Sequence, residues 1–321
     1  MNLLRRYSRP SLTARTLAWT AAALGTLALA NHLLAGRAER RHPPEGKFIE
    51  VDGVRLHYTD RGTGRPVVLL HGNMVTGDDF NTSGVADLLL QNHRVIIFDR
   101  PGFGHSERPR GRIWTASEQA GLLHEAFRQL GVERPVVVGH SWGAIVALAI
   151  AEGYPADTAG LVLLSGYYFP TLRPDVWTVG LGAIPVLGDI LRYTISPIFG
   201  WLTMPLIKRA LFSPARITER FSEEFSSAMA LRPSQIRATA VDGALMIPSV
   251  LALQSRYETL PMPVTIIAGE GDKVVFKRSA ERLHRSIPGS RLQVLNGTGH
   301  MLHHVAPGTV ASAVAEVAER R

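Results

Sequence analysis

The chain contains no cysteine among its 321 residues. This excludes disulfides, thiolate metal sites, iron–sulfur clusters and a cysteine nucleophile. It leaves the compartment open, because an exported protein can fold without disulfides. Charge is also sparse. Only 19% of residues are charged against 45% hydrophobic, which argues against disorder and for a large buried core. The length suits one α/β unit, since such domains run past about 200 residues. The net charge of +8 is unevenly spread. Eight Lys/Arg and two acids lie between Met1 and Lys47, so +6 sits there and +2 is left for the rest. A body that close to neutral gives no reason to expect a nucleic-acid surface.

Charge is absent altogether from Thr16 to Gly36, TLAWTAAALGTLALANHLLAG. These 21 residues match the roughly 20 that a helix needs to cross a hydrocarbon core. Arginines flank both ends. Asn31 and His32 weaken the C-terminal third. A single-pass membrane anchor is the favoured reading. A cleaved signal peptide, with Ala28-Leu29-Ala30 as its small-residue site, and a surface or buried helix are the alternatives. The basic residues on the two flanks balance, so the positive-inside rule gives no orientation. Default insertion of a first segment puts the catalytic body on the outer, periplasmic or extracellular, side. Arg37 to Lys47, with Pro43-Pro44 and Gly46, reads as a polar linker.

From Phe48 onward, short β-branched runs alternate with helical stretches. Phe48–Val51 and Val54–Thr59 flank Asp52-Gly53, a hairpin signal. Pro66–Leu70, Arg94–Phe98, Pro135–Val138, Gly160–Leu164, Val264–Ala268 and Arg291–Leu295 follow. They are apolar on both faces, as expected of strands covered on each side. Helix-like stretches at Thr115–Leu130, Trp142–Gly153, Arg278–Ser286 and Pro307–Arg321 lie between or after them. The alternation predicts an α/β fold with a mostly parallel central sheet and helices on both faces. From about Tyr167 to Leu260 the strand pattern stops. Roughly 90 residues are too many for a structureless loop, so this stretch reads as an inserted helical cap over the site. The expected organisation is an anchor and linker over 1–46, a core from 47–166 and 261–321, and a cap over 167–260.

Pro135–Val138 runs into Gly139-His140-Ser141-Trp142-Gly143, and Ala144–Ala151 then opens a helix. This is G-x-S-x-G at a strand-to-helix turn, a nucleophile elbow with Ser141 as nucleophile. The turn is too tight for side chains at its flanks, hence Gly139 and Gly143. The helix N-terminus beside Ser141 offers free N–H groups. His71-Gly72-Asn73-Met74 follows another core strand, where the second N–H of an oxyanion hole is normally supplied. The expected donors are the backbone N–H groups of Asn73 and Trp142, although a plain glycine turn would read the same way. His71 itself reads as a structural histidine under the loop. Gly269-Glu270-Gly271-Asp272 follows the next-to-last strand. Glu270 and Asp272 compete as the acid, and Asp272 is favoured because Gly271 lets the backbone turn back toward the site. Asn296-Gly297-Thr298-Gly299-His300 follows the last strand and puts His300 within reach as base. His303 and His304 are rivals on the next helical turn, read as bystanders.

The order Ser141, Asp272, His300, with H-G-N-M at His71–Met74, D-R-P-G-F-G-H-S at Asp99–Ser106, G-H-S-W-G at Gly139–Gly143, G-E-G-D at Gly269–Asp272 and G-T-G-H at Gly297–His300, resembles the α/β-hydrolase superfamily. It is similar to the capped branch that holds epoxide hydrolases, C–C bond hydrolases and esterases, over about Lys47 to the C-terminus. The resemblance gives the Asp99–Ser106 segment a structural role only. Epoxide hydrolases and haloalkane dehalogenases of this fold carry aspartate at the nucleophile position. Ser141 therefore disfavours those activities and leaves ester, thioester or lactone hydrolysis, C–C cleavage and perhydrolysis, none of which needs a metal or organic cofactor. The expected function is hydrolysis of a carboxylic ester of a small apolar acyl substrate through an acyl-enzyme on Ser141. A C–C hydrolase or perhydrolase on the same triad is the alternative, and so is a non-catalytic membrane-tethered binding protein. Trp177, Phe199, Trp201 and Phe212 in the insertion fit either an apolar pocket or the cap's own core.

Overall fold

The computed structural model describes residues 12–171 and 180–320. The strands are β1 (Lys47–Val51), β2 (Val54–Arg61), β3 (Arg65–Leu70), β4 (His93–Phe98), β5 (Val136–His140), β6 (Gly160–Leu164), β7 (Val264–Gly269) and β8 (Arg291–Leu295). They form one sheet in the order β1-β2-β4-β3-β5-β6-β7-β8. The β1–β2 and β2–β4 pairs are antiparallel and every other pair is parallel. Asp52 and Gly53 turn the opening hairpin with φ of 49° and 72°, the conformation that favours Asp-Gly in a two-residue turn.

Successive side chains of a strand point to opposite faces, and here both sets are apolar. Val68, Leu70, Ile96, Phe98, Val137, Leu161, Leu163 and Ile266 share one core. It is completed by α4 (Ala116–Gln129), α5 (Trp142–Gly153) and α11 (Lys277–Ser286). Their neighbours Val67, Leu69, Val95, Ile97, Val136, Val138, Val162 and Leu164 meet α3 (Val85–Leu89) and α13 (Pro307–Glu319) on the other side. Every residue of α5 from Trp142 to Ala151 is buried, as a helix apolar on all sides requires.

Between β6 and β7 the described residues are helical wherever they are regular. The elements are α6 (Leu187–Tyr193), α7 (Ile195–Phe212), α8 (Glu219–Glu224), α9 (Ser227–Ala230) and α10 (Pro233–Leu253). The short helices α2 (Asp79–Thr82) and α12 (Leu302–Val305) sit in loops at the sheet's C-terminal edge.

The chain opens with one long helix, α1 (Leu12–Arg41). Arg37–Arg41 thus belongs to the helix and not to the linker, which shrinks to His42–Gly46. Ala, Glu and Arg are good helix formers. Ala38 is buried, and Glu39 pairs with Arg232 at 2.8 Å. The stop comes at His42, which precedes Pro43, a position where helical backbone is disfavoured. By length and composition α1 could cross a membrane, as could Pro233–Thr259, or a bent span made of α6 and α7. The apolar stretch of α1 is 6% buried against 39% in Pro233–Thr259, so the second is a core-packed helix and α1 is largely uncovered. Arg5, Arg6 and Arg9 of the anchor's basic flank lie outside the described residues.

The insertion is bolted to the core through Asp242 of α10. Its Oδ2 accepts from Arg100 Nη1 at 2.7 Å and its Oδ1 from Arg108 Nη1 at 2.8 Å. Its backbone carbonyl accepts from Trp142 Nε1 at 2.8 Å. The Asp242 and Arg100 side chains are wholly buried. Removing one partner of such a group strands the other charges without water. Asp242→Ala should therefore cost about 3–5 kcal/mol, read as the shift in denaturant midpoint. A shift worth under about 1 kcal/mol would show that water enters the cluster and that the clamp is weak.

Candidate active site

The sheet register brings four loops to one edge. Leu70 pairs with Gly139, His140 with Leu164, Leu164 with Ile267 and Gly269 with Leu295. The chain therefore leaves β3, β5, β7 and β8 on one side, carrying Asn73, Ser141, Asp272 and His300.

Ser141 is the single residue between β5 and α5, with φ 53° and ψ −115°. A non-glycine residue in this region stores strain of about 1–3 kcal/mol. Its N–H donates to Leu164 O at 2.8 Å. The flanking glycines have no room for a side chain. A Cβ at Gly139 would lie 2.4 Å from Gly143 O, and one at Gly143 would lie 2.1 Å from Leu70 O. The side chain of Ser141 is thus forced out of the sheet edge, and the residue is half-buried.

Ser141 Oγ lies 2.9 Å from His300 Nε2, and His300 Nδ1 lies 2.8 Å from Asp272 Oδ2. Asp272 Oδ1 accepts from the N–H groups of Val274 and Val275 at 2.8 and 2.9 Å. Burial pushes the Asp272 pKa up, but His300 and these two N–H groups outweigh it and hold the carboxyl below its ordinary value. With Asp272 ionised, Nδ1 carries the proton and Nε2 faces the serine as acceptor. Glu270 takes no part. Its carboxylate is half-exposed and lies 3.6 Å from Lys277. Gly271 and Gly299 allow the two loops to close on the insertion. A Cβ at Gly271 would meet Pro214 Cδ at 2.2 Å, and one at Gly299 would meet Ser213 O at 2.4 Å. His300 N–H donates to Leu211 O at 2.8 Å.

The His71–Met74 loop lies directly against the serine. A Cβ at Gly72 would be 3.2 Å from Ser141 Cβ. Asn73 ties the loop to the insertion, its Nδ2 donating to Thr239 O at 3.1 Å. Among the described residues, no protein acceptor takes the main-chain N–H of Asn73 or Trp142. His71 Nε2 accepts from the Arg100 N–H at 2.9 Å, while Arg100 Nε and Nη2 donate to the His71 and Gly72 carbonyls at 2.8 and 3.0 Å.

His303 and His304 point away from the serine. Their Nε2 atoms lie 2.8 Å from the two carboxylate oxygens of Asp79. Burial pushes the Asp79 pKa up, but the two histidines overcome it and hold the carboxyl far below its ordinary value. His140 packs behind them, its ring tilted against that of His303 at 4.3 Å. Asp79, His140 and His303 offer ligand atoms within 4.8 Å of one another, a spacing that could hold a metal ion. Both oxygens of Asp79 are already engaged, so the cluster works as a polar brace under the base loop. Asp99, in the Asp99–Ser106 segment, likewise serves the backbone: it accepts from the N–H groups of Gly77 and His105 at 2.8 and 2.9 Å.

A profile of the alpha/beta hydrolase family matches residues 67–313. The chain belongs to that family. An uncharacterized protein of Mycobacterium tuberculosis is 30% identical to the hydrolase over 283 residues, 83% of this chain and 78% of that one. Haloalkane dehalogenase 2 of the same organism is 29% identical over 290 residues, 86% and 95% of the two chains. Among solved structures, a thermophilic esterase from Thermogutta terrifontis superposes with a TM-score of 0.67 at 24% identity, over 84% of this chain and 97% of that one. At that identity the likeness shows the shared fold alone.

The insertion aromatics marked by the sequence divide between core and surface. Phe212 is buried with Val75, Phe221 and Met301. Phe199 and Trp201 instead face outward, 65% and 53% exposed. Trp177 lies outside the described residues. Sequence reasoning also missed Asp242 and Asp79. Each lies far along the chain from its partners, and no local spacing marks either one.

Burial and then Arg100 push the His71 pKa down to about 4, so folding requires a neutral imidazole. A group depressed from 6.5 to about 4 contributes stability that is complete above pH 6.5 and is lost as pH falls toward 4. His71 should therefore cost the protein about 2 kcal/mol between pH 7 and pH 5, adding to any other titrating group. Denaturation midpoints at the two pH values for the protein and for His71→Asn read this. The variant should show a slope shallower by that amount. Parallel slopes would mean that His71 is protonated, or solvated, in the native state.

Proposed function

We propose that this hydrolase cleaves a carboxylic ester, or a related acyl bond, of an apolar substrate through an acyl-enzyme on Ser141. The observation that carries the reading is the unbroken line from Ser141 Oγ through His300 to Asp272, with contacts of 2.9 and 2.8 Å. In this reading His300 Nε2 takes the hydroxyl proton as Oγ attacks the carbonyl carbon. The main-chain N–H groups of Asn73 and Trp142 hold the developing oxyanion. His300 returns the proton to the departing alkoxide, which leaves as an alcohol. A water molecule, deprotonated by the same nitrogen, then attacks the acyl carbon and frees Ser141. Asp272 remains ionised and balances the imidazolium at each half-reaction.

Ser141 also bears on the choice of substrate. Displacing halide from an alkyl carbon with serine would leave an ether, which has no carbonyl for water to attack. A serine nucleophile cannot complete its cycle on an alkyl halide, so the relative's dehalogenase activity is not carried over. Apolar surroundings support an apolar acyl or alcohol part. Met74, next to Asn73, packs on Met204, Leu231 and Phe225, and Met301, next to His300, packs on Val75 and Phe212.

We further propose the organisation 1–46 anchor and linker, 47–166 with 261–321 core, and 167–260 cap. α1 is read as a single-pass anchor that leaves the core on the outer side.

The full chain in detergent should hydrolyse p-nitrophenyl esters. Ser141→Ala and His300→Ala should each lose about 10³-fold or more in kcat, and Asp272→Asn about 10²–10⁴-fold, with all three variants melting near the parent. Loss of the parent's labelling by a fluorophosphonate in Ser141→Ala should accompany this. Labelling without turnover of any ester would move the assignment to C–C cleavage or perhydrolysis. Neither labelling nor turnover would favour a binding protein.

A further inference from the structure

The outward stripe of α7 breaks the rule for a helix packed on a soluble enzyme. Ile195, Ile198, Phe199, Leu202 and Leu206 follow the spacing of one helical face and are 43–74% exposed. The opposite face, with Pro197, Met204 and Phe212, is buried. Both faces are therefore apolar, where a water-facing helix would carry polar residues on its outer side. No charged residue occurs from Tyr193 to Ile207, and the exposed Arg209 closes the stripe. The charges of α6 are spoken for: Asp189 pairs with Arg110 and Arg192, both at 2.8 Å. Ile184, Val186 and Ile190 extend the exposed apolar area at the N-terminal side.

This surface meets α1 at a defined point. Asn31 Nδ2 donates to the carbonyls of Tyr193 and Thr194 at 2.8 and 3.0 Å, at the break between α6 and α7. Toward the core from Asn31, α1 is fastened by Ala38 and Glu39. Toward its N-terminus Leu12, Leu17, Trp19 and Leu29 are exposed. A crevice of about 640 Å³ runs between α1 and α7, with Leu34, Ala38, Pro197, Trp201 and Leu231 in its walls.

We propose that the N-terminal half of α7 is seated in the lipid bilayer beside α1, so that the insertion is a membrane-facing entrance and not a water-facing lid. The proposal rests on reading α1 as a membrane anchor. The occupant is lipid because the patch is continuous with that anchor, lacks charge along its length, and ends at one exposed cation, Arg209, while Lys208 turns inward over the Phe221 and Phe225 rings. α7 then runs from the bilayer to the base loop, since Leu211 near its far end accepts the N–H of His300. An ester dissolved in the membrane would reach Ser141 along this helix without crossing bulk water.

The absence of cysteine makes the test direct. Single cysteines are introduced in the full chain at Leu17, Phe199, Leu202 and, as a water-facing reference on α11, Arg285. Each is labelled with an environment-sensitive fluorophore and reconstituted into phosphatidylcholine–phosphatidylglycerol vesicles with or without spin-labelled lipid quenchers. Far-UV circular dichroism checks that each variant keeps its helix content. Quenching at 199 and 202 that approaches that at 17, with none at 285, is the expected result. Quenching at 17 while 199 and 202 behave like 285 would keep the anchor and overturn the seated helix. No quenching at 17 would remove the anchor reading and the proposal with it. Emission from 199 and 202 shielded from water yet insensitive to lipid quencher, with disulfide cross-linking between chains, would assign the patch to a second copy and overturn the lipid assignment.

Discussion

One buried guanidinium ties the candidate site to everything around it. Arg100 has no exposed side-chain surface and donates to the His71 and Gly72 carbonyls, to Gln119 of α4 and to Asp242 of α10. Arginine alone offers a rigid fork of five donors that cannot be deprotonated at ordinary pH. The loop that carries Asn73 is thereby fixed relative to core and insertion at once. The same geometry dictates the state of His71, whose Nε2 must accept from the Arg100 main chain and so cannot hold a proton. A charge this deep is tolerable only because Asp242 answers it, and Asp242 comes from the inserted segment. Core and insertion therefore share a single electrostatic unit, and neither is complete without the other.

The second constraint is steric. Between β5 and α5 the backbone turns through one residue, Gly139 faces the backbone of Gly143 and Ala144, and the neighbouring loop after β3 lies within contact distance of Gly143 and Ser141. That crowding is what aims Ser141 at His300. It also keeps Gly72 against the serine. Groups held in place by packing of this kind need no rearrangement at the moment they act.

Much of this was legible along the chain because its signals are local. Each predicted run of β-branched residues is a strand, and the two-sided apolar character of Val67–Leu70 or Val136–Val138 follows from helices on both faces. Gly-x-Ser-x-Gly at a strand end, and loop residues after β7 and β8, lead to Ser141, Asp272 and His300 by order alone. What escaped was long-range or signed. Asp242 reads as an acid within an apolar helix, and its partners lie 142 and 134 residues away. His303 and His304 read as bystanders, and Asp79, 224 residues upstream of His303, explains why they are held. The helical character of Arg37–Arg41 was masked by their charge. Polar composition suggested a linker, whereas contact with Arg232 and burial of Ala38 keep the helix intact.

The face that α7 turns outward is a different kind of gap. Hydrophobic periodicity reports how often apolar residues recur and says nothing about which of two apolar faces meets the core. In α7 both faces are apolar, so the pattern is as compatible with a buried helix as with one between protein and lipid. Only the fold, by burying Pro197, Met204 and Phe212, gives the other face its direction. That is why Phe199 and Trp201, which fit a pocket or the cap's own core in the sequence, are exposed in the structure. Their exposure beside α1 has a further consequence for stability. An apolar stripe left in water would favour association between molecules, and α1 leaves these residues uncovered.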